Sequence, residues 1–279
     1  MRRLIVCADD FGLDLAVNEA VEQAHRHGIL STTSLMVGGA AAADAVARAR
    51  RLPELRVGLH LNLIDGRPLL PEAEVPRLVC ENGEFDRNMG RAGVRFFMFP
   101  GVRRQLASEI RAQFEAFRTT GLALDHVNTH KHIHLHPSVA ALIIEIGRDY
   151  GMSAVRVPSE PVAVLRQAFP EERYRAPAYH GWNAMLRRRL KRAGLRTNDH
   201  VFGLAWSGGM VEARILALIP HLPEGVSEFY FHPAIERTPS LVATMPSYRH
   251  PEELAALLSP IVKNRIAESD LRLLSYTDL

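Results

Sequence analysis

Short apolar runs alternate with longer stretches of helical spacing along this 279-residue chain, and that alternation leaves few architectures open. Leu4 to Ala8, Thr33 to Val37, Val57 to Leu61, His126 to Asn128, Ala154 to Val157, Val201 to Leu204, Glu228 to Phe231 and Leu271 to Tyr276 read as strands. Leu15 to His27, Ala41 to Arg51, Arg103 to Thr119, Pro137 to Tyr150 and Met210 to Ile219 place apolar residues on one helical face, several with Gly just past the last turn. Strands separated by crossover-length helices pair in parallel, because a parallel return needs a long connection over the sheet. The expectation is an α/β fold, a parallel barrel in a single domain over residues 1–279.

Two stretches break the rhythm, Ile64 to Pro100 with its several Pro and Gly residues, and Ser159 to Asn198 with the cluster Arg187, Arg188, Arg189, Lys191 and Arg192. Both read as insertions, about 64–100 and 159–198, at the C-terminal face of the strands, where recognition pockets are built.

In a parallel barrel every strand C-terminus emerges on that one face, so residues far apart in sequence converge there. Asp9 and Asp10 end the first strand, His60 the third, His130 and His132 the fourth, and His232 a late one; Glu160 follows the fifth. Carboxylates and imidazoles gathered in this way can hold a divalent ion and still leave an acid and a base. Adjacent side chains of a strand point to opposite faces, so Asp9 and Asp10 must divide the labour, one as ligand and one as base, with the backbone turning between them. Taken alone, Asp9-Asp10-Phe11-Gly12 also reads as a polar turn into a capped helix, and His60 or His232 as a core histidine.

The run Asn128-Thr129-His130-Lys131-His132-Ile133-His134-Leu135-His136-Pro137 carries the most information. Histidines at alternate positions suit one side of a strand end entering a helix at Pro137, yet one ion cannot use all four. Some of them must contact substrate or orient the ligands; a solvated histidine-rich loop is the bland alternative.

Ala8-Asp9-Asp10-Phe11-Gly12, Gly58-Leu59-His60, the Asn128 to Pro137 run, Phe231-His232-Pro233-Ala234 and the ending Leu273-Leu274-Ser275-Tyr276 resemble, in order and spacing, the YdjC/ChbG-like carbohydrate deacetylases. Arg91-Ala92-Gly93-Val94-Arg95-Phe96-Phe97 and the helix after it look more like the hopanoid-biosynthesis-associated branch, HpnK. The resemblance implies a distorted TIM-like (β/α) barrel and a hydrolase of linear amide C–N bonds. It implies removal of the N-acetyl group from an N-acetylglucosaminyl hopanoid, releasing acetate and a free amine; other members act on chitooligosaccharides. By the same resemblance Asp10, His60 and His130 are metal ligands for one divalent ion, zinc or magnesium, Asp9 is the base, and His232 protonates the departing amine. Asn128, His132, His134, Arg156 and Glu160 are then expected to contact the substrate or the ligands. Where several relatives carry Asp two residues before the first histidine, this chain has Asn128, which accepts a hydrogen bond but brings no charge.

Composition limits the alternatives. Hydrophobic residues at 47% and charged residues at 23% are those of a soluble globular chain. Two cysteines cannot build a disulfide framework, the carboxylates at Asp9 and Asp10 interrupt any leader-like apolar segment, and no apolar stretch reaches transmembrane length. A cytoplasmic protein is expected, with no nucleic-acid partner, since the net charge is only +3. Trp182 to Ala193 could rest on the inner face of an anionic membrane, or be a solvated helix whose arginine stems cover apolar neighbours. A homodimer stays among the options. No Gly-rich phosphate loop supports a phosphate-ester hydrolase, and a sugar- or lipid-binding protein without catalysis would have no need of acid, base and ligand candidates together.

Overall fold

A computed structural model describes residues 2–174 and 180–279. In chain order it runs β1 (Arg2–Phe11), α1 (Leu15–His27), β2 (Thr32–Leu35), α2 (Ala42–Arg50), β3 (Arg56–Leu61), α3 (Met89–Met98), α4 (Pro100–Thr119), β4 (Leu124–Thr129), α5 (Pro137–Asp149), α6 (Val162–Ala168) and α7 (His180–Arg192). It continues with β5 (His200–Phe202), α8 (Glu212–Leu218), β6 (Gly225–Phe231), α9 (Pro239–Thr244), α10 (His250–Leu258), α11 (Pro260–Ala267) and β7 (Leu271–Leu274).

The strands lie in the order β4-β3-β2-β1-β6-β5, every ladder parallel, as crossover helices require. β6 pairs with β1 over Arg2 to Ala8, while the opposite edge of β1 is shared: β7 takes Arg2 to Ile5 and β2 takes Cys7 to Phe11. That shared edge is one departure from a regular barrel. Another lies between β4 and β5, where Ala154 to Val157 forms isolated bridges, Val127 with Val155 and Ala154 with Arg196, in place of the expected strand. The backbone N–H of Arg156 donates to the Val127 carbonyl, and that of Val201 to Ser159, so the sheet is carried round from β4 to β5. The architecture is α/β with a parallel sheet, consistent with a distorted TIM-like barrel.

The period of two along each strand separates the two sides of the sheet. On β1, Leu4, Val6 and Ala8 join the core beneath the helices, whereas Ile5 and Cys7 belong to a second, interior cluster with Ala154, Val226, Leu274 and Tyr276. The same interior file continues to Asp9 on β1, and runs through Val226, Glu228, Tyr230 and His232 along and beyond β6. Gly58 of β3 is required here, because a Cβ would stand within 2.5 Å of the His126 ring from β4.

Helix bounds follow their caps. Asp14 accepts from the N–H of Ala16 to start α1 at Leu15, and Pro137 opens α5 after His136. The expected helix from Arg103 starts earlier, at Pro100, because Pro fits the first turn. Of the two stretches read as insertions, the first holds α3 and the second holds α6 and α7; residues 175–179 lie outside the described residues.

Candidate functional site

At the C-terminal ends of β1, β3 and β4, ligand atoms of Asp10, His60 and His130 lie within 4.8 Å of one another. Asp10 reaches this position because its backbone is left-handed, φ 64°, which turns its side chain back to the side that Asp9 already faces. Among the described residues only Asp10, Asp65, Lys131 and His132 are non-glycine residues at positive φ. Three sit in two of the three segments that build this cluster, and the fourth, Asp65, bonds Lys131 at 2.7 Å, so the backbone strain is concentrated here.

Oδ1 of Asp10 stands 3.3 Å from Nε2 of His60 and 3.4 Å from Nδ1 of His130. Both Asp10 oxygens and the His60 Nε2 are buried and have no other hydrogen-bond partner among the described residues. Buried polar atoms left in this state are costly, and a cation among them would satisfy all three, so the donor set fits a divalent ion. Burial alone would raise the Asp10 carboxyl, yet the two imidazoles hold it well below the usual carboxylate range; burial works the other way on His60, and Asp10 with Asp9 lifts it above its ordinary value.

The His60 ring is oriented from behind. Its Nδ1 lies 2.7 Å from Oδ1 of Asn128 and 3.1 Å from Oγ of Ser34. Asn128 Nδ2 in turn donates to Oδ1 of Asp9 at 3.0 Å and to Ser34 at 3.1 Å. An ionised carboxylate only accepts, so the amide must turn its NH2 to Asp9 and its oxygen to His60; this puts the proton on Nδ1 and leaves Nε2 for a ligand bond.

Asp9 is the most restrained group. Arg156 forks onto it, Nη1 to Oδ2 at 2.5 Å and Nη2 to Oδ1 at 2.9 Å, and Ser34 donates to Oδ1 at 2.9 Å. Burial pushes the Asp9 carboxyl up, but Arg156 overrides it and holds the group well below the usual range. Arg156 is itself wholly buried, also bonds Glu228 at 2.6 Å, and Glu228 accepts from the Tyr276 hydroxyl at 2.6 Å. Arg156 therefore acts on Asp9 from inside the barrel and lies away from the cavity wall.

The four histidines do not share one face. The chain leaves β4 into a tight turn over His130–Leu135, with Lys131 and His132 left-handed, so the alternation of a strand is lost. His130 turns to Asp10, and His132 lines the cavity against the Tyr230 ring, with its Nδ1 buried and unpartnered among the described residues. His134 is pinned between the Thr129 hydroxyl at 2.7 Å and the Arg156 carbonyl at 2.9 Å, and so cannot reach a substrate. His136 caps α5 by accepting from the Ser138 N–H. Glu160 does not meet the other groups: its carboxylate gathers the N–H groups of Gly203, Leu204 and Ala205, and burial pushes it up to about 7. It holds a loop rather than a ligand.

His232 follows β6 and reaches the cavity. Its backbone is fixed on both sides, the N–H by Glu253 at 2.5 Å and the carbonyl by Nδ1 of His250 at 2.6 Å. Burial pushes the His232 ring down to about 4, so it is neutral near pH 7. Its Nδ1 is buried and has no hydrogen-bond partner among the described residues.

Ser34, Glu228, Glu253, Tyr230 and Tyr248 were not among the residues expected from sequence. A charged residue inside an apolar strand, as in Ser227-Glu228-Phe229, is the signal that points to a buried ion pair. Ser34 carries none beyond its period-two match to Thr32.

A cavity of about 960 Å³ opens above these groups, with Asp9, His60, His130, His132 and His232 at its inner end. Its outer wall is apolar: Met89, Val94, Phe97 and Met98 from α3 face Trp182 from α7.

A model of the YdjC-like protein family matches residues 3–268. The chain belongs to the YdjC-like family. This YdjC-like protein is 33% identical over 279 residues to a carbohydrate deacetylase of Geobacillus stearothermophilus, covering 99% of this chain and 98% of the relative. A carbohydrate deacetylase of Vibrio vulnificus (strain CMCP6) is 31% identical over 277 residues, with 99% and 96% covered. In fold the YdjC-like protein is similar to the crystal structure of a candidate cellobiose-phosphate cleavage protein from Enterococcus faecalis V583, with a TM-score of 0.77 at 24% identity and 99% and 98% of the two chains covered.

Proposed function

We propose that this YdjC-like protein is a metal-dependent carbohydrate N-deacetylase whose substrate is an N-acetylglucosaminyl lipid of the hopanoid type, acting in the cytoplasm at the inner membrane face. The activity follows from its relatives, and the observation that carries the mechanism is the orphaned Asp10, His60 and His130 cluster beside a fully restrained Asp9. The apolar outer wall favours a hydrocarbon aglycone over a soluble oligosaccharide, since a sugar alone would leave Phe97, Met98 and Trp182 unused.

Asp10, His60 and His130 would hold the ion. One carboxylate and two imidazoles suit zinc or another late transition ion better than magnesium, which prefers an all-oxygen shell. When bound there, the ion supplies Lewis acidity, lowering the pKa of a water and drawing charge from the acetyl oxygen.

Asp9 receives the water's proton as the water oxygen bonds to the acetyl carbon. Its Oδ1 already accepts from Ser34, Asn128 and Arg156, whereas Oδ2 accepts only from Arg156 and keeps a lone pair for the water. Arg156 keeps the carboxylate charged and still, which trades basicity for fixed geometry. The C–N bond then breaks and acetate leaves as the proton that Asp9 took from the water is passed through His232 to the departing nitrogen. A neutral imidazole can relay that proton, accepting it at one ring nitrogen as it donates from the other to the amine.

Mass spectrometry of N-acetylglucosaminyl lipid and of chitooligosaccharides, each incubated with the metal-loaded protein, tests this reading. The expected result is loss of one acetyl mass from the lipid, abolished by chelator and by Asp9→Asn. A protein that binds either substrate without releasing acetate under any metal would be a sugar- or lipid-binding protein instead.

A further inference from the structure

The outer wall of the cavity does not end at the cavity. On α3, Ala92, Gly93 and Phe96 are buried against the body of the protein, yet Val94, Phe97 and Met98 are 62%, 64% and 61% exposed. Phe99, which joins α3 to α4, is 51% exposed and lies outside the cavity lining. Phe97-Met98-Phe99-Pro100 is thus an apolar corner projecting at the cavity mouth, and Trp182, 47% exposed, stands across from it. Large apolar side chains grouped in this way mark a surface that meets something other than water.

The charge around the corner narrows what that is. From Met89 to Ser108 the ionisable side chains are Arg91, Arg95, Arg103 and Arg104, with no carboxylate before Glu109. α7 adds Arg187, Arg188, Arg189, Lys191 and Arg192, again with no carboxylate. Arg103, Arg104, Arg188 and Arg192 are exposed. Asp86 pairs with Arg91 and the Arg77 carbonyl takes Arg95, which leaves the exposed Arg103 and Arg104, at the start of α4, as the charge beside the apolar tip. An apolar projection flanked in this way complements an anionic lipid surface, where aromatic rings and Met enter the headgroup boundary and arginines meet phosphates.

α7, whose sequence allows either membrane contact or a solvated helix covering apolar neighbours, makes its contacts within the fold. Leu186 and Leu190 are buried, so its apolar face is used within the fold. Arg187 bonds the carbonyls of Asn198 and Asp199, and Arg189 that of Pro137.

We propose that the α3–α4 corner, with Phe97, Met98 and Phe99 at its tip, docks this protein on an anionic bilayer and holds the cavity mouth against the lipid surface. This rests on the reading of a lipid-linked substrate, which would then pass from bilayer to cavity without crossing water.

Phe99, Arg103 and Arg104 test it, because none lines the cavity. Full-length protein is sedimented with phosphatidylcholine vesicles and with vesicles containing about one third phosphatidylglycerol. Binding is expected only to the anionic vesicles, lowered about tenfold by Arg103→Gln with Arg104→Gln and lost in Phe99→Ser with both. Thermal stability, and turnover of a water-soluble N-acetylglucosaminide, should stay at wild-type level. Equal sedimentation of the variants, or no sedimentation of the wild type, overturns the proposal, as does a dimer in ultracentrifugation that Phe99→Ser dissociates. Asp9→Asn keeps the two readings apart: it should still bind vesicles, and vesicle binding by a wild type that releases no acetate would refute the deacetylase and leave the docking surface standing.

Discussion

The side-chain oxygen of Asn128 lies 2.7 Å from Nδ1 of His60, so an amide on one strand decides which nitrogen of its neighbour's imidazole is left to bind a metal. Asn128→Ala removes that bond together with the donor to Asp9. Metal affinity, measured by competition with a chelator, should fall about 10- to 100-fold. Asn128→Asp still orients His60 and should lose far less affinity. It also places a second carboxylate against Asp9, and turnover should suffer more than metal binding does.

Arg156 is the counter-ion of two buried carboxylates, Asp9 and Glu228, and is itself shut off from solvent. Arg156→Met leaves both charges unpaired. Urea unfolding should report a loss of about 3–5 kcal/mol. Arg156→Lys keeps the charge but not the fork, and turnover should drop even in chains that stay folded.

Much of this arrangement can be read from the sequence because the period of two and the helical spacing are undisturbed over long segments; the helix expected over Leu15 to His27 has those bounds in the structure. Reading failed where the backbone leaves the common conformations. His130 to His136 looks like an alternating strand end, but the left-handed Lys131 and His132 send each imidazole to a different place. Nothing in the residue types announces that turn. Ala154 to Val157 has strand composition and alternates as a strand does, with Ala154 and Arg156 inward and Val155 and Val157 on the other side, yet it pairs only through isolated bridges. The stretch 64–100 read as a recognition insertion because of its Pro and Gly residues; that α3 within it would wall the cavity depends on contacts with α4 and α5 that no local pattern encodes.

Glu253 fixes the N–H groups of His232 and Met210 from a fully buried position, and burial lifts its carboxyl from the ordinary 4.5 to about 7. Between those values the folded chain keeps a proton that the unfolded chain has released. Stability should therefore fall as pH rises through that window, by up to about 3 kcal/mol, and level off above 7. Glu253→Gln removes this share, so its stability relative to wild type should improve from pH 5 to pH 7 and change little above that in denaturant titrations. A difference that does not vary with pH would show that the side chain is ionised throughout.

His232→Phe keeps the aromatic packing against Tyr248 but has no proton to give. Turnover should fall about 10²- to 10⁴-fold, with bound metal and KM little changed. A variant that loses metal as well would make His232 a ligand.

Metal-dependent hydrolysis at this site requires Asp10, His60 and His130 to share one divalent ion. Metal content per chain, measured by mass spectrometry after loading with zinc, should be one in the wild type and near zero in Asp10→Ala, His60→Ala and His130→Ala, each still folded by circular dichroism. Full metal content in all three variants, or none in the wild type, would contradict it.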